Sequence, residues 1–220
     1  MKNILFLLFL FIGGTSNAEV HNAISGLVHE SAEDGLKIAF ESSVQLVSIK
    51  QEGFGIGSGN LFVYKGEQYI ITANHVVSGS LFLDILEKNG NVASGLVILS
   101  NPALDLAIIK PISKMTGTFA TEFKLSDNNL LGKEVYHCGH PIGTNFNLSK
   151  GMITAYDSRG YIIDSFSMPG SSGSVVFDKE GKVLGVVVSI AVFGEDSRMQ
   201  LVGNITRVVP INLPEIIDSL

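Results

Sequence analysis

Three side chains far apart in the chain have the types that acyl transfer requires. His75 lies just past the apolar run Ile70-Ile71-Thr72-Ala73, and Asp105 places one carboxylate in the otherwise apolar run Leu104-Asp105-Leu106-Ala107-Ile108-Ile109. Ser172 stands in the turn Gly170-Ser171-Ser172-Gly173-Ser174, ahead of the apolar Val175-Val176-Phe177. A hydroxyl nucleophile needs a base of pKa near 7 to take its proton and a carboxylate to orient that base. Taken singly, each residue has an ordinary reading: a structural histidine, a turn cap after Pro102, a serine in a turn. Together, in the order His75, Asp105, Ser172, they point to nucleophilic catalysis. A nucleophile elbow with its histidine after the serine is excluded, because His140 is the last histidine and position 174 is serine, not glycine.

Such residues need rigid elements to bring them together. The chain has 220 residues, 45% hydrophobic and 16% charged, which excludes disorder and leaves ample length for a core. Its net charge of −6 with no basic run argues against nucleic-acid partners and against anionic lipid surfaces. A single cysteine excludes an internal disulfide and any multi-cysteine zinc site. Short apolar runs between turn signals predict six strands at 44–49, 57–63, 69–72, 80–86, 92–99 and 104–110. A softer stretch follows, then six more at 134–138, 147–156, 161–166, 174–177, 182–191 and 201–206. Twelve evenly spaced short strands predict an all-β protein of two six-stranded antiparallel barrels, at 43–115 and 116–212.

The ends read differently. Lys2, nine apolar residues from Ile4 to Ile12, and small residues at Ser16 and Ala18 have the layout of a secretory signal peptide over 1–18. Nine apolar residues are too few to span a bilayer, which takes about 20. The expectation is export to the periplasm or the outside, with no stable membrane insertion. Weak helical spacing marks a helical segment over 19–42, and Asn212 with Pro214 predicts a last short helix over 213–220.

Thr72-Ala73-Asn74-His75 and Gly170-Ser171-Ser172-Gly173-Ser174 resemble the histidine and serine motifs of trypsin-like serine peptidases. Gly57-Ser58-Gly59, Asp105-Leu106-Ala107-Ile108-Ile109, Gly139-His140-Pro141-Ile142-Gly143, Gly181-Lys182-Val183-Leu184-Gly185 and Asp164 are similar to the HtrA/Deg-type branch. The resemblance implies a serine endopeptidase acting on polypeptides. Ser172 would be its nucleophile, His75 its base and then acid, and Asp105 the partner of the imidazole. The N–H groups of Gly170 and Ser172 would form the oxyanion hole, and no cofactor or metal is implied. The few residues after Asn212 are too short for the PDZ domain that follows many HtrA-type proteases, so a stand-alone protease is expected. A catalytically silent barrel pair that binds peptides or proteins is the alternative. The oligomeric state is left open.

Two departures from the resemblance carry expectations. Ser171 stands where digestive enzymes have an aspartate that pairs with a new N-terminus, so activity should not need one. Ser174, also found among glutamyl endopeptidases, is not accompanied by their histidine in the following strand, and Phe166 stands where trypsin has its pocket-floor aspartate. A specificity pocket lined by Phe166, Val187 and Val188 would then favour small or medium apolar residues, loosely. His137 and His140 flank Cys138, but strand neighbours face opposite ways, so a metal site is not expected there and Cys138 reads as a core filler. Asn147 and Asn204 head glycosylation sequons, meaningful only in a eukaryotic source. Gly53-Phe54-Gly55-Ile56-Gly57 lacks the Lys-Ser/Thr ending of a phosphate loop and reads as a strand entry.

Overall fold

The structure, a computed structural model, describes residues 33–118, 124–126, 130–141, 144–193 and 200–211. The expected leader over 1–18, most of the 19–42 segment and the helix over 213–220 lie outside the described residues. Among the described residues, no helix is long and apolar enough to cross a membrane.

Strands β1 (Ser43–Lys50), β2 (Gly53–Tyr64), β3 (Glu67–Ala73), β4 (Phe82–Leu86), β5 (Val92–Asn101) and β6 (Leu106–Pro111) close into one barrel, in the spatial order β1-β2-β3-β6-β5-β4. A second closed barrel contains β7 (Glu134–Gly139), β8 (Asn147–Asp157), β9 (Gly160–Asp164), β10 (Val175–Asp178), β11 (Val183–Phe193) and β12 (Gln200–Pro210). Its spatial order, β10-β11-β12-β9-β8-β7, repeats the first barrel's connectivity strand for strand. All pairings between these twelve strands are antiparallel, and among the described residues closure leaves neither barrel with an open edge. The all-β, two-barrel expectation therefore holds.

Several strand limits differ from the sequence reading, and three of the differences have a plain physical reason. The fourth strand starts at Phe82 rather than 80, because the Ser80 N–H (3.1 Å) and hydroxyl (2.7 Å) both bond back to the Val77 carbonyl. The sixth starts at Leu106, because Asp105 adopts a left-handed φ of 53° that no strand continues through. The twelfth runs on to Pro210, pairing Val208 and Val209 with β11.

Helix α1 (Asp34–Ser42) packs on β7 and β10, while α2 (Asn74–Val77) is a single turn at the end of β3. In β11, Val186 and Val188 join a core cluster containing first-barrel residues such as Leu46 and Ile108. The intervening Val187 turns into the second barrel's interior with Val135, Ile153 and Ile163. That alternation is the period of two of a strand, and here both faces are apolar because both are covered. Buried Asn60 ties the seam. Its Nδ2 donates to Ser42 Oγ at 2.8 Å, and its Oδ1 accepts from the Val175 N–H at 2.8 Å.

Candidate active site

His75 sits in the one-turn helix α2, immediately beyond β3. Asp105 immediately precedes β6, the strand that pairs with β3, through contacts such as Ala73 with Leu106. Adjacent strand ends thus bring together residues 30 positions apart. The contact is double: Asp105 Oδ2 lies 2.7 Å from His75 Nδ1, and Oδ1 accepts the His75 backbone N–H at 2.8 Å. Asn74 adds a third tie, donating its N–H to the Asp105 carbonyl at 3.0 Å. A carboxylate oxygen can only accept here, so Nδ1 carries the proton and Nε2 is left with a lone pair able to act as a base.

Ser172 is supplied by the other barrel, in the turn between β9 and β10. Its carbonyl accepts the Ser58 N–H at 2.8 Å, fastening the turn to β2. Gly173, at φ 92°, packs so closely that a Cβ would strike the Ser58 carbonyl and Thr72 Oγ1, and would come within 3.1 Å of the Ala73 nitrogen. Only glycine meets both the positive φ and that approach. The turn therefore lies against the end of β3, two residues before His75. Among the described residues, no hydrogen bond joins the Ser172 hydroxyl to the His75 ring. In resting sites such contacts are often long and shorten when substrate seats.

The amide groups of this turn are distributed unevenly. Met168 donates its N–H to Ser171 Oγ (3.2 Å), Ser171 to the Met168 carbonyl (2.8 Å), Gly173 to the Val187 carbonyl (2.7 Å) and Ser174 to the Ser171 carbonyl (3.2 Å). Residue 169 is proline and has no N–H. The N–H groups of Gly170 and Ser172 have no acceptor among the described residues. Two N–H groups of the turn that carries Ser172 are thus left without a protein acceptor. The turn Met168–Ser171 has proline and then a left-handed glycine (φ 104°) at its centre, the pattern of a type II turn.

The three residues expected to line a specificity pocket are not brought together. Val187 has no exposed surface and belongs to the second barrel's interior, whereas Val188 faces the core shared with the first. Successive strand residues cannot line one pocket with their side chains, so Val187 is withdrawn from that role. Its backbone instead holds the Ser172 turn through the Gly173 N–H and a 2.9 Å bond from its own N–H to the Ser174 carbonyl. Phe166 is half exposed, beyond the end of β9.

The His137-Cys138-His140 triple is likewise split. His137 bonds Ser165 and Ser174, while His140 bonds Ser43 and the Phe146 N–H. Cys138 is buried in the shared core with its thiol pushed up to about 12 by burial, so it is no competing nucleophile.

Sequence reasoning missed the residues that hold the site. Ser58, Asn60, Ser100 (2.5 Å to Asn74 Oδ1) and His140 are each engaged with site residues or their loops. Two of them stand in motifs the sequence did offer, Ser58 in Gly57-Ser58-Gly59 and His140 in Gly139-His140-Pro141-Ile142-Gly143, but neither motif states what the side chain holds.

A family model described as the trypsin-like peptidase domain matches residues 57–186, which span His75, Asp105 and Ser172. The chain belongs to that family. Among curated proteins, the trypsin-like domain resembles "Serine protease HtrA-like" of Staphylococcus aureus strains USA300 and NCTC 8325. It is 28% identical over 176 residues, covering 71% of this chain but only 22% of each relative, so it spans about a fifth of their length. Solved structures agree on the fold. The HtrA-type protease AlgW with tripeptide is 22% identical with a TM-score of 0.67, over 84% of this chain and 62% of that one. A protease from M. tuberculosis in its active form is 20% identical with a TM-score of 0.67, over 88% of this chain and 84% of that one.

Proposed function

We propose that this trypsin-like domain is an exported serine endopeptidase that hydrolyses polypeptides through an acyl-enzyme. His75 draws the proton from Ser172 Oγ as the oxygen attacks the scissile carbonyl, then returns it to the leaving amine. Asp105 keeps the ring in the tautomer that leaves Nε2 basic and stabilises the imidazolium when it forms. The N–H groups of Gly170 and Ser172 receive the oxyanion. The observation that carries this reading is the double grip of Asp105 on His75, next to a serine turn with two unpaired amides. The leader-like pattern over 1–18 supports export. Phe166, apolar and half exposed where the resemblance puts a pocket floor, supports cleavage after small or medium apolar residues.

The test is labelling of the purified protein by a fluorescent fluorophosphonate. Labelling lost in Ser172→Ala is the expected result, and a wild type that never labels rejects the peptidase. A peptide-library profile dominated by Lys/Arg or Asp/Glu at the cleaved position rejects the apolar preference. The missing Ser172–His75 hydrogen bond favours a second reading, a silent peptide-binding barrel pair, and the same unlabelled wild type would support it.

A further inference from the structure

We infer that Ser58 is a positioning residue for the oxyanion hole, setting the gap between its two donor amides; this rests on the peptidase reading above. Ser58 lies on β2 of the first barrel, fully buried, and each of its polar groups is engaged. Its hydroxyl donates to the Gly170 carbonyl at 2.6 Å and accepts the His140 N–H at 2.9 Å. Its own N–H donates to the Ser172 carbonyl at 2.8 Å, and its carbonyl accepts Thr72 Oγ1 at 2.7 Å.

The N–H groups of both Gly170 and Ser172 have no acceptor among the described residues. One residue of the opposite barrel therefore grips the carbonyls of both, one with its side chain and the other with its backbone. Fixing those carbonyls fixes the 170–171 and 172–173 peptide planes, and with them the Cα atoms of Gly170 and Ser172 from which the donor amides project. The Gly170 side of this grip has no substitute. A Cβ on Gly170 would strike the His140 carbonyl, so the glycine is wedged between that carbonyl and Ser58 Oγ. His140 is in turn anchored, because the Ser43 hydroxyl donates to the Cys138 carbonyl at 3.0 Å and so must accept from His140 Nε2 at 2.9 Å. Without the hydroxyl of Ser58, the Gly170 carbonyl and the His140 N–H both lose their partner in a buried place, and the turn can relax to recover them. The hole donors then drift relative to Ser172 Oγ.

Removing a hole donor outright costs about 10²–10³ in rate, so displacing one should cost less, about 10–100-fold. The experiment measures kinact and KI separately for the fluorophosphonate with wild type, Ser58→Ala, Ser58→Cys and Ser172→Ala. The expected result is a kinact lowered about 10–100-fold in Ser58→Ala, with KI changed less than about two-fold, and a smaller loss in Ser58→Cys, which keeps a weak donor. A role in the fold alone would lower the melting temperature and leave kinact untouched in the folded fraction. A folded Ser58→Ala with wild-type kinact overturns the inference while leaving the peptidase standing. If Ser58→Ala does not fold, Ser58→Cys is read in the same way, and failure of both to fold overturns the inference in favour of a purely structural serine. A wild type that never labels removes the peptidase reading itself.

Discussion

Asp105 holds His75 at two points, ring and backbone, with Oδ2 at 2.7 Å from Nδ1 and Oδ1 at 2.8 Å from the N–H. The backbone bond fixes where the ring is rooted, and the ring bond fixes which nitrogen carries the proton. The backbone bond alone would leave the imidazole free to rotate and to exchange tautomers.

Asp105→Asn separates these two roles. Asparagine tolerates the left-handed backbone at this position, so the turn survives, and its amide oxygen can still accept the His75 N–H. Its NH₂ then faces Nδ1, which must become an acceptor, and the proton moves to Nε2. The expected outcome is a loss of about 10⁴ in kcat, the cost of the wrong tautomer in a triad of this order, with a melting temperature near that of wild type. Equal losses of stability and activity would mean that Asp105 serves the fold instead.

The barrels were legible because their signal is local: an apolar run plus a turn predicts a strand, and twelve such runs predict closure. The pairing of His75 with Asp105 was legible because the chemistry expected of them dictates residue type. The scaffold under them was not. Ser58 reaches Gly170 across 112 residues, and nothing in a Gly-Ser-Gly triplet states whose carbonyl the hydroxyl will meet. The pocket reading failed at Val187 for the opposite reason: three valines in a row hide the strand's alternation, since a strand covered on both faces shows no polar side.

Gly173→Ala tests the seam between the barrels. The new methyl would collide with the Ser58 carbonyl and Thr72 Oγ1 at a φ of 92° that alanine resists. Neither neighbour can retreat, because Thr72 Oγ1 is bonded to that same carbonyl. Strain and overpacking together are expected to cost about 2–5 kcal/mol, read as a lower denaturant midpoint, with labelling lost in whatever still folds. A variant with wild-type midpoint and labelling would show that the turn is not packed against β3 in solution.

Ser171 supports independence from a freed N-terminus. Its hydroxyl accepts the Met168 N–H, and its carbonyl accepts both the Ser174 N–H and, at 2.7 Å, the Ser174 hydroxyl. These bonds close the turn from within, where an activation-dependent enzyme would need an ion pair. A peptide tag placed before Glu19 is expected to leave kinact within about two-fold of the untagged protein, whereas Ser171→Ala should cost about 1 kcal/mol of stability through the lost acceptor. Strict loss of labelling on tagging would reject this account of the turn.

Two buried histidines set the acid limit of stability. Burial lowers His137 to about 4, and burial with the nearby Lys88 charge lowers His140 to about 3. Both rings are neutral and fully engaged. Ser174 donates its hydroxyl to the Ser171 carbonyl, so at 3.3 Å it accepts from His137 Nδ1, leaving Nε2 to accept from Ser165. In His140 the roles reverse: Nδ1 accepts the Phe146 N–H at 3.3 Å, where an added proton would face another proton. An unfolded histidine takes its proton near pH 6.5, and these two in the fold do not until well below it. Between those values the unfolded state binds more protons, so stability falls as pH drops below about 6.5 and goes on falling toward pH 3–4. Melting temperatures across pH 8 to 4 should show that decline, and His137→Asn should flatten it by close to one proton's worth even though the variant is less stable at pH 8. A wild-type melting temperature unchanged from pH 6.5 to 4.5 would mean that both rings already exchange protons with solvent in the folded protein.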